Sequence, residues 1–196
     1  MKKIKTLVAT LFVAMAAAGM AFADSVNLIT DGTFEGAAAS AWVAEGSSIS
    51  LKEGKGVKDS TALYVIGKYS WSGAGKDLTK VMDLNSDYYM EIWFKAYEKD
   101  NQTRKANCSV CLQPEGVDNP DNYVYMMLDD DGGKYTGSES VPFTNAGYTK
   151  VCGVVRGEEM KAELAGKKCI NITAYFKTDN PTRPFYIDNV VLRKIN

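Results

Sequence analysis

The stretch Tyr89-Met90-Glu91-Ile92-Trp93-Phe94-Lys95-Ala96 alternates in polarity from end to end. Side chains of an extended chain point to opposite sides in turn, so Met90, Ile92, Phe94 and Ala96 share one face. Tyr89, Glu91, Trp93 and Lys95 share the other. The pattern is that of a strand with one face in a core. Trp93 faces away from Ile92 and Phe94. It reads either as lining a cleft or as filling the core, with the core favoured.

Working outward, the same period or a β-branched and aromatic run recurs. Strands are expected at 26–29, 47–51, 62–66, 78–82, 88–97, 106–113, 123–128, 139–143, 147–156, 168–177 and 184–193. Turn signals separate them, among them Asp31-Gly32, Asn85-Ser86-Asp87, Asp131-Gly132-Gly133 and Asn180-Pro181. Many short strands with spaced turns make a sandwich or a barrel. One helix is expected, at 158–165, with Gly166 as its cap. No linker or internal repeat interrupts the pattern, so residues 24–196 read as a single domain.

The first 23 residues read differently. Lys2, Lys3 and Lys5 precede an apolar, alanine-rich run that ends in Ala21-Phe22-Ala23. This is the layout of a bacterial-type signal peptide cleaved before Asp24, which predicts a secreted or periplasmic protein. No cysteine follows the run, as a lipoprotein would require. No later segment is long and apolar enough to span a membrane as a helix.

Composition narrows the chemistry. The chain has 196 residues, no histidine, and 23 Lys+Arg against 24 Asp+Glu, for a net charge of −1. Without histidine there is no Ser-His-Asp or Cys-His catalysis and no His-ligated metal. The charge balance lacks the basic footprint of a nucleic-acid binder. Nucleophile-elbow and phosphate-loop motifs are missing as well. Asp129-Asp130-Asp131-Gly132-Gly133 lacks the alternating calcium-loop spacing and reads as a solvated hairpin tip. Glu158 and Glu159 open the expected helix, where they favour its dipole. The expectation is a protein that is not an enzyme.

Cys108, Cys111, Cys152 and Cys169 are an even set in a chain expected to be exported, so disulfides are the default reading. Cys108 and Cys111, three apart on a strand, fall on opposite faces, which favours cross-strand pairing to Cys152 and Cys169. The connectivity stays open. A four-cysteine zinc site is the rival, but only one CxxC is present. A thioredoxin-like pair would need a helix N-terminus.

The two ends and the middle together carry a resemblance. The chain opens Asn27-Leu28-Ile29-Thr30-Asp31-Gly32-Thr33-Phe34-Glu35-Gly36, followed by Trp42, and closes Pro184-Phe185-Tyr186-Ile187-Asp188-Asn189-Val190. Between them lie Lys68-x-x-Trp71-x-Gly73 and the Tyr88–Lys95 strand motif. In this order they resemble the carbohydrate-binding modules attached to bacterial xylanases and cellulases. The resemblance implies an all-β, galactose-binding-like jelly-roll β-sandwich of two antiparallel sheets, with its terminal strands adjacent. It also implies a structural calcium ion held by Glu35 and Asp188, with an oxygen of Thr33 as a third ligand. Without the resemblance, Glu35 and Asp188 read as a turn carboxylate and a strand-end cap.

Sugars present apolar faces ringed by hydroxyls, so a glycan site offers flat aromatics beside polar side chains. Trp71 sits among Tyr69, Ser70, Ser72 and Gly73, with no apolar alternation to draw it inward, and Tyr69 is placed to share its site. Tyr123 and Tyr125 share a strand face with Met127, opposite Val124, Met126 and Leu128. Tyr175 joins the candidate set. Trp42 reads as structural. Two positions depart from the family's pattern: Lys68 stands where the motif has Arg, and Lys177 where xylan-binding relatives carry an acid. They put a xylan preference in doubt. The leading expectation is an exported, non-catalytic protein that binds a poly- or oligosaccharide by aromatic stacking. The alternatives are an envelope protein that binds a protein partner and a small glycoside hydrolase.

Overall fold

The computed structural model describes residues 26–36 and 39–195; the expected signal peptide, 1–23, lies outside the described residues. Among the described residues eleven strands and one α-helix follow in order: β1 (Val43–Glu45), β2 (Ser47–Lys52), β3 (Ala62–Gly67), β4 (Gly73–Asp77), β5 (Tyr88–Ala96), β6 (Arg104–Pro114), β7 (Val124–Met127), β8 (Glu139–Phe143), β9 (Thr149–Val155), α1 (Gly157–Leu164), β10 (Cys169–Thr178) and β11 (Phe185–Lys194). They form two antiparallel sheets. Sheet A runs β1-β4-β10-β6-β7, with β8 also paired to β6. Sheet B runs β2-β3-β11-β5-β9. The result is the expected jelly-roll sandwich.

The core lies between the sheets and is built by alternation. Sheet A turns Ala106, Cys108, Val110 and Leu112 of β6 inward, with Ile172, Ala174 and Phe176 of β10. Sheet B answers with Met90, Ile92 and Phe94 of β5, Leu63 and Val65 of β3, and Phe185 and Ile187 of β11. On β11 the alternation changes phase. An extra residue between Asp188 and Val191 makes a bulge, with Asn189 at φ 47°. Val190 and Leu192 then face inward in turn. Bulges of this kind re-aim side chains without ending a strand.

Several expectations need correction, four of them on strands, Trp93 and the cysteines. The 26–29 segment is not a strand, although it does lie against β11. The Leu28 N–H donates to the Leu192 carbonyl at 2.8 Å, but the next ladder position is taken by the Asn27 side chain, which accepts from the Leu192 N–H at 2.9 Å. Residues 78–82 form a turn held by the Asp77 carboxylate, which accepts the Thr79 N–H. The neighbouring strand β4 was hidden because two of its five residues are glycine, which carries no strand signal. Trp93 is neither in the core nor in a cleft. It lies half-buried on the outer face of sheet B and donates to Glu91 at 2.8 Å.

The fourth correction concerns the cysteines: Cys108, Cys111, Cys152 and Cys169 are all free thiols. Cys108 faces the core, and Cys111, as its odd spacing requires, faces out of sheet A. Cys152 lies opposite Glu91, on the outer face of sheet B. A disulfide needs Cα atoms about 4.4–6.8 Å apart, and stacked sheets lie about 10 Å apart. Within sheet A, Cys111 pairs with Thr173 while Cys169 pairs with Pro114, three positions away.

The acidic hairpin tip folds back on sheet B. Asp129 and Val154 exchange backbone hydrogen bonds of 2.8 and 3.0 Å, and Arg156 pairs with Asp131 at 2.6 Å. This covers the exposed edge of β9. Helix α1 follows, with Met160 and Leu164 buried and Ala165, in place of the expected Gly166, at the left-handed cap.

One buried ion cluster joins the strand ends. Arg104, 2% exposed, pairs with Asp100 at 2.9 Å and Asp179 at 3.1 Å, and donates to Thr178 Oγ1 and the Asn180 carbonyl. Arg183 reaches Asp100 from the other side at 3.0 Å. Removing one member strands a buried charge, a loss of about 3–5 kcal/mol. Arg104→Ala should therefore lower the urea midpoint by a large share of total stability; a midpoint within experimental error of wild type would show that the cluster is dispensable.

Candidate functional site

The outward faces of β6, β10 and β7 form the floor of a groove of about 740 Å³. The period-2 code assigns its residues. Asn107, Ser109, Cys111 and Gln113 come from β6, Asn171, Thr173, Tyr175 and Lys177 from β10, and Tyr123, Tyr125 and Met127 from β7 and its start. Each is the neighbour of an inward apolar residue. The walls are Trp71 and Glu45 on one side and Pro120 with Asp121 on the other.

Four of the five residues expected to hold sugar therefore meet in one place: Trp71, Tyr123, Tyr125 and Tyr175. Tyr125 and Tyr175 lie 6.3 Å apart between ring centres. Tyr125, the more exposed, stands opposite Cys111 in the β6–β7 pairing and donates to the Pro120 carbonyl at 3.3 Å. Tyr69 does not line the groove. It stacks on Trp71, with ring centres 5.1 Å apart and planes 12° from parallel. Both rings stay about half exposed, at 53% and 52%. Trp42, expected to be structural, is buried against Phe34 and Phe176.

The turn bearing Trp71 is held from below. Ser72 is fully buried, and its Oγ accepts the N–H groups of Lys68 and Tyr69 at 3.1 and 2.9 Å. The same hydroxyl donates to the Gly46 carbonyl at 2.6 Å. Gly46 has φ +57°, and a Cβ there would stand 2.5 Å from the Trp71 ring. Only glycine meets both demands. The edge of the indole thus packs against the Gly46 backbone.

Burial sets the protonation of the groove. It raises the Glu45 carboxyl above the usual range, the Cys111 thiol to about 11 and the Tyr125 hydroxyl to about 12. Tyr125, Tyr175 and the Cys111 thiol are therefore neutral at physiological pH. They offer hydroxyl donors and ring faces rather than charge. The amides and hydroxyls of the floor were missed as site residues by sequence reading, though their alternation with Ala106, Val110, Leu112, Ile172 and Phe176 carried the signal.

A second carboxylate site lies outside the groove. Asp188, fully buried beside the β11 bulge, accepts the Val57 N–H at 2.7 Å, the Ser60 hydroxyl at 2.9 Å and the Asn189 N–H at 2.6 Å. Burial raises its pKa, and the nearby Glu35 charge adds to the rise. Among the described residues no cation pairs with Asp188. Glu35 itself accepts the Thr61 N–H at 2.5 Å. The loop presses so closely that a Cβ on Gly56 would lie 2.6 Å from Asp188 and 2.7 Å from the Thr61 carbonyl. Two carboxylates, one buried without a countercharge and lined by backbone oxygen, suit an oxygen-seeking cation such as calcium. No hydrogen bond ties Thr33 to either carboxylate among the described residues, and no cluster there supplies three acidic, Cys or His ligands. The remaining ligands of such an ion would have to be carbonyls and water.

Comparison with known proteins agrees with this architecture. The chain is 27% identical over 171 residues to endo-1,4-beta-xylanase A of Thermoanaerobacterium saccharolyticum; the match takes in 83% of the chain and 12% of the xylanase. The CBM22-1 xylan-binding domain of Paenibacillus barcinonensis Xyn10C superposes with a TM-score of 0.66 at 14% identity, over 84% of this chain and 92% of that one. The CBM22-1–GH10 modules of Clostridium thermocellum xylanase 10B, solved with xylohexaose, superpose with a TM-score of 0.62 at 20% identity, over 83% of this chain and 28% of that one. A family profile described as a carbohydrate binding domain matches residues 26–144. With that match over more than half its length, and with the sandwich that the resemblance implied, the chain belongs to the carbohydrate-binding domain family.

Proposed function

We propose that this is an exported, non-catalytic protein that binds a poly- or oligosaccharide chain along the sheet-A groove. Trp71, Tyr125 and Tyr175 are its stacking platforms, and Tyr123 borders it. Asn107, Ser109, Gln113, Asn171 and Thr173 read the hydroxyls of the sugars. Glu45 and Asp121 accept further hydroxyls at the walls. The observation that carries the reading is the gathering of three tyrosines, a half-exposed tryptophan and neutral polar groups on one concave sheet face. Stacking and hydrogen bonding need no proton shuttle, which suits a chain without histidine. Xylan and xylohexaose, the ligands of the structurally similar modules, make xylose chains the first to test. Lys68 and Lys177 are the reason to test β-glucans and mannans beside them.

Titration with these glycans should change tryptophan fluorescence. Trp71→Ala should weaken binding by at least about 30-fold, the loss expected of a central aromatic anchor worth about 2 kcal/mol. Trp93→Phe, on the opposite sheet, should bind as wild type. Unchanged affinity in Trp71→Ala would remove the groove from the proposal. Release of shorter products from xylohexaose would replace binding by hydrolysis.

Ser72→Ala tests the seat of the platform. It leaves two N–H groups without their acceptor, a loss of about 1–3 kcal/mol. Thermal stability should fall and glycan affinity should fall with it, because Trp71 loses its fixed pose. Loss of stability with full affinity would show that the indole finds its place without the clasp.

Calcium, in this proposal, is held by Glu35 and Asp188 with carbonyl oxygens of the 56–61 loop, and supplies the countercharge that Asp188 lacks. The sign of the pH effect follows. The folded pKa of Asp188 is raised, so in metal-free protein its ionisation penalty is absent below the ordinary aspartate pKa. The penalty grows as pH rises through the folded value. Without calcium, wild type should gain stability on acidification from neutral pH relative to Asp188→Asn. At neutral pH calcium should raise the melting temperature of wild type and chelator should lower it, with no response in Asp188→Asn. A wild-type melting curve indifferent to both would leave Asp188 as a metal-free clasp.

A further inference from the structure

The groove does not end at Lys177. A second cavity of about 220 Å³ opens beyond it and shares Asn107 and Lys177 with the first. The alternation of sheet A carries straight on: Lys105 is the next outward residue of β6 after Asn107, and Asp179 follows Lys177 just past the end of β10. From Gln113 to Lys105 the outward row runs roughly 27 Å, at about 3.4 Å per residue. Two further side chains enter from the sides. Ser70 belongs to the turn that carries Trp71, and Ser140 stands at φ 61° where β8 slips register against β6.

Two lysines and Asp179 line this end, and Glu139 stands beside it, opposite Asn107 in the β6–β8 pairing. Asp179 is already engaged, accepting from Arg104 Nε at 3.1 Å. Lys105 and Lys177 make no ion pair among the described residues. Lys177 Nζ lies 6.0 Å from the centre of the Tyr175 ring, next to the aromatic part of the groove. The carboxylates Glu45 and Asp121 line the main groove and do not enter the second cavity. The trough therefore has a direction, with its free cations gathered at one end.

We propose that this second cavity is an anion subsite that takes the carboxylate of a uronic acid carried by the bound glycan. The inference rests on the reading of the main groove as a glycan site. A neutral sugar gains little from two neighbouring ammonium groups, whereas a carboxylate gains charge-assisted hydrogen bonds from both, with serine hydroxyls beside them. Because the cavity is continuous with the stacking platforms, a group held in it belongs to the same chain that stacks on Trp71 and Tyr175. The site is open to water, so its contribution must weaken with salt.

The test compares xylohexaose with the same hexaose bearing one glucuronic acid side group, by calorimetry. The substituted chain should bind wild type about tenfold tighter at low salt, as one net charge-assisted contact allows. The advantage should vanish at about 0.5 M salt, where the screening length is only a few ångströms. Lys105→Gln, outside the main groove, should bring the two affinities together while leaving xylohexaose affinity unchanged. Equal affinities for wild type overturn the subsite and leave the groove standing. So does an advantage that survives high salt or Lys105→Gln. Failure of both chains to bind wild type overturns the groove reading for xylose chains, and the subsite with it.

Discussion

One antiparallel pairing carries both the core and the groove. Along β6 and β10, Phe176 stands opposite Cys108 and faces inward, while Tyr175 stands opposite Ser109 and faces the groove. Since the side-chain period of a strand is two, a slip of one residue would exchange the two faces of a strand. Tyrosine and lysine would enter the core, and phenylalanine and isoleucine would be left in water. The register must therefore be pinned, and the Arg104 cluster is placed to pin it. Arg104 opens β6, yet its guanidinium is bonded to Thr178, Asp179 and Asn180 at the far end of β10. A buried cation that must reach those partners is satisfied in one register only. The same residue explains why Asp179 leaves the adjacent lysines unneutralised.

Closure of sheet B is a separate problem, solved at the β11 bulge. Before the bulge Phe185 and Ile187 face the core; after it Val190 and Leu192 do. The phase change leaves Asp188 at the point where the 56–61 loop and the N-terminal segment converge. The Val190 N–H donates to the Gly32 carbonyl at 2.9 Å, so the N-terminal segment is tied to the strand just past the carboxylate. Positive φ values at Phe34, Lys58, Asp59 and Asn189 all cluster around this convergence. Backbone strain of that kind persists only where the surroundings over-determine it. A buried carboxylate that collects three donors from two segments does so.

The sequence was legible where alternation is strong. Strands β5 and β7 declared both their existence and their faces, and β6 and β10 their existence. The Tyr123, Tyr125 and Met127 face is separable from Val124, Met126 and Leu128 by alternation alone. Trp71 was legible for the opposite reason, because nothing apolar around it called for burial. What escaped had local chemistry that competes with pattern. The glycines of β4 carry no propensity, and residues 78–82 alternate like a strand but are bent by the Asp77–Thr79 contact. Trp93 misled because a face can be neither core nor cleft: a convex sheet surface also tolerates a half-buried indole once its N–H has a partner such as Glu91. The polar floor of the groove was overlooked because Asn, Ser and Thr were weighed singly, when their meaning came from the strand face they share.

The cysteines show how the absence of a staple is borne. The export proposed for this chain would bring it into contact with oxidants, which four thiols without disulfides must resist. Oxidation and exchange proceed through the thiolate. Burial raises the Cys108 thiol well above its ordinary pKa, takes Cys111 to about 11 and raises Cys169 as well. Cys152 is buried on the outer face of sheet B, where its backbone N–H donates to the Thr136 hydroxyl beneath the 129–138 loop. The thiolate fraction of the three raised thiols at neutral pH is therefore small, and no two of the four sit across a register that a disulfide could bridge. The mechanical work of a disulfide falls to the buried Arg104 cluster at one end of the strands and to the carboxylate clasp of Asp188 in sheet B. Both are electrostatic, so the sandwich should answer to pH and to cations where a disulfide-bonded one would answer to reductant.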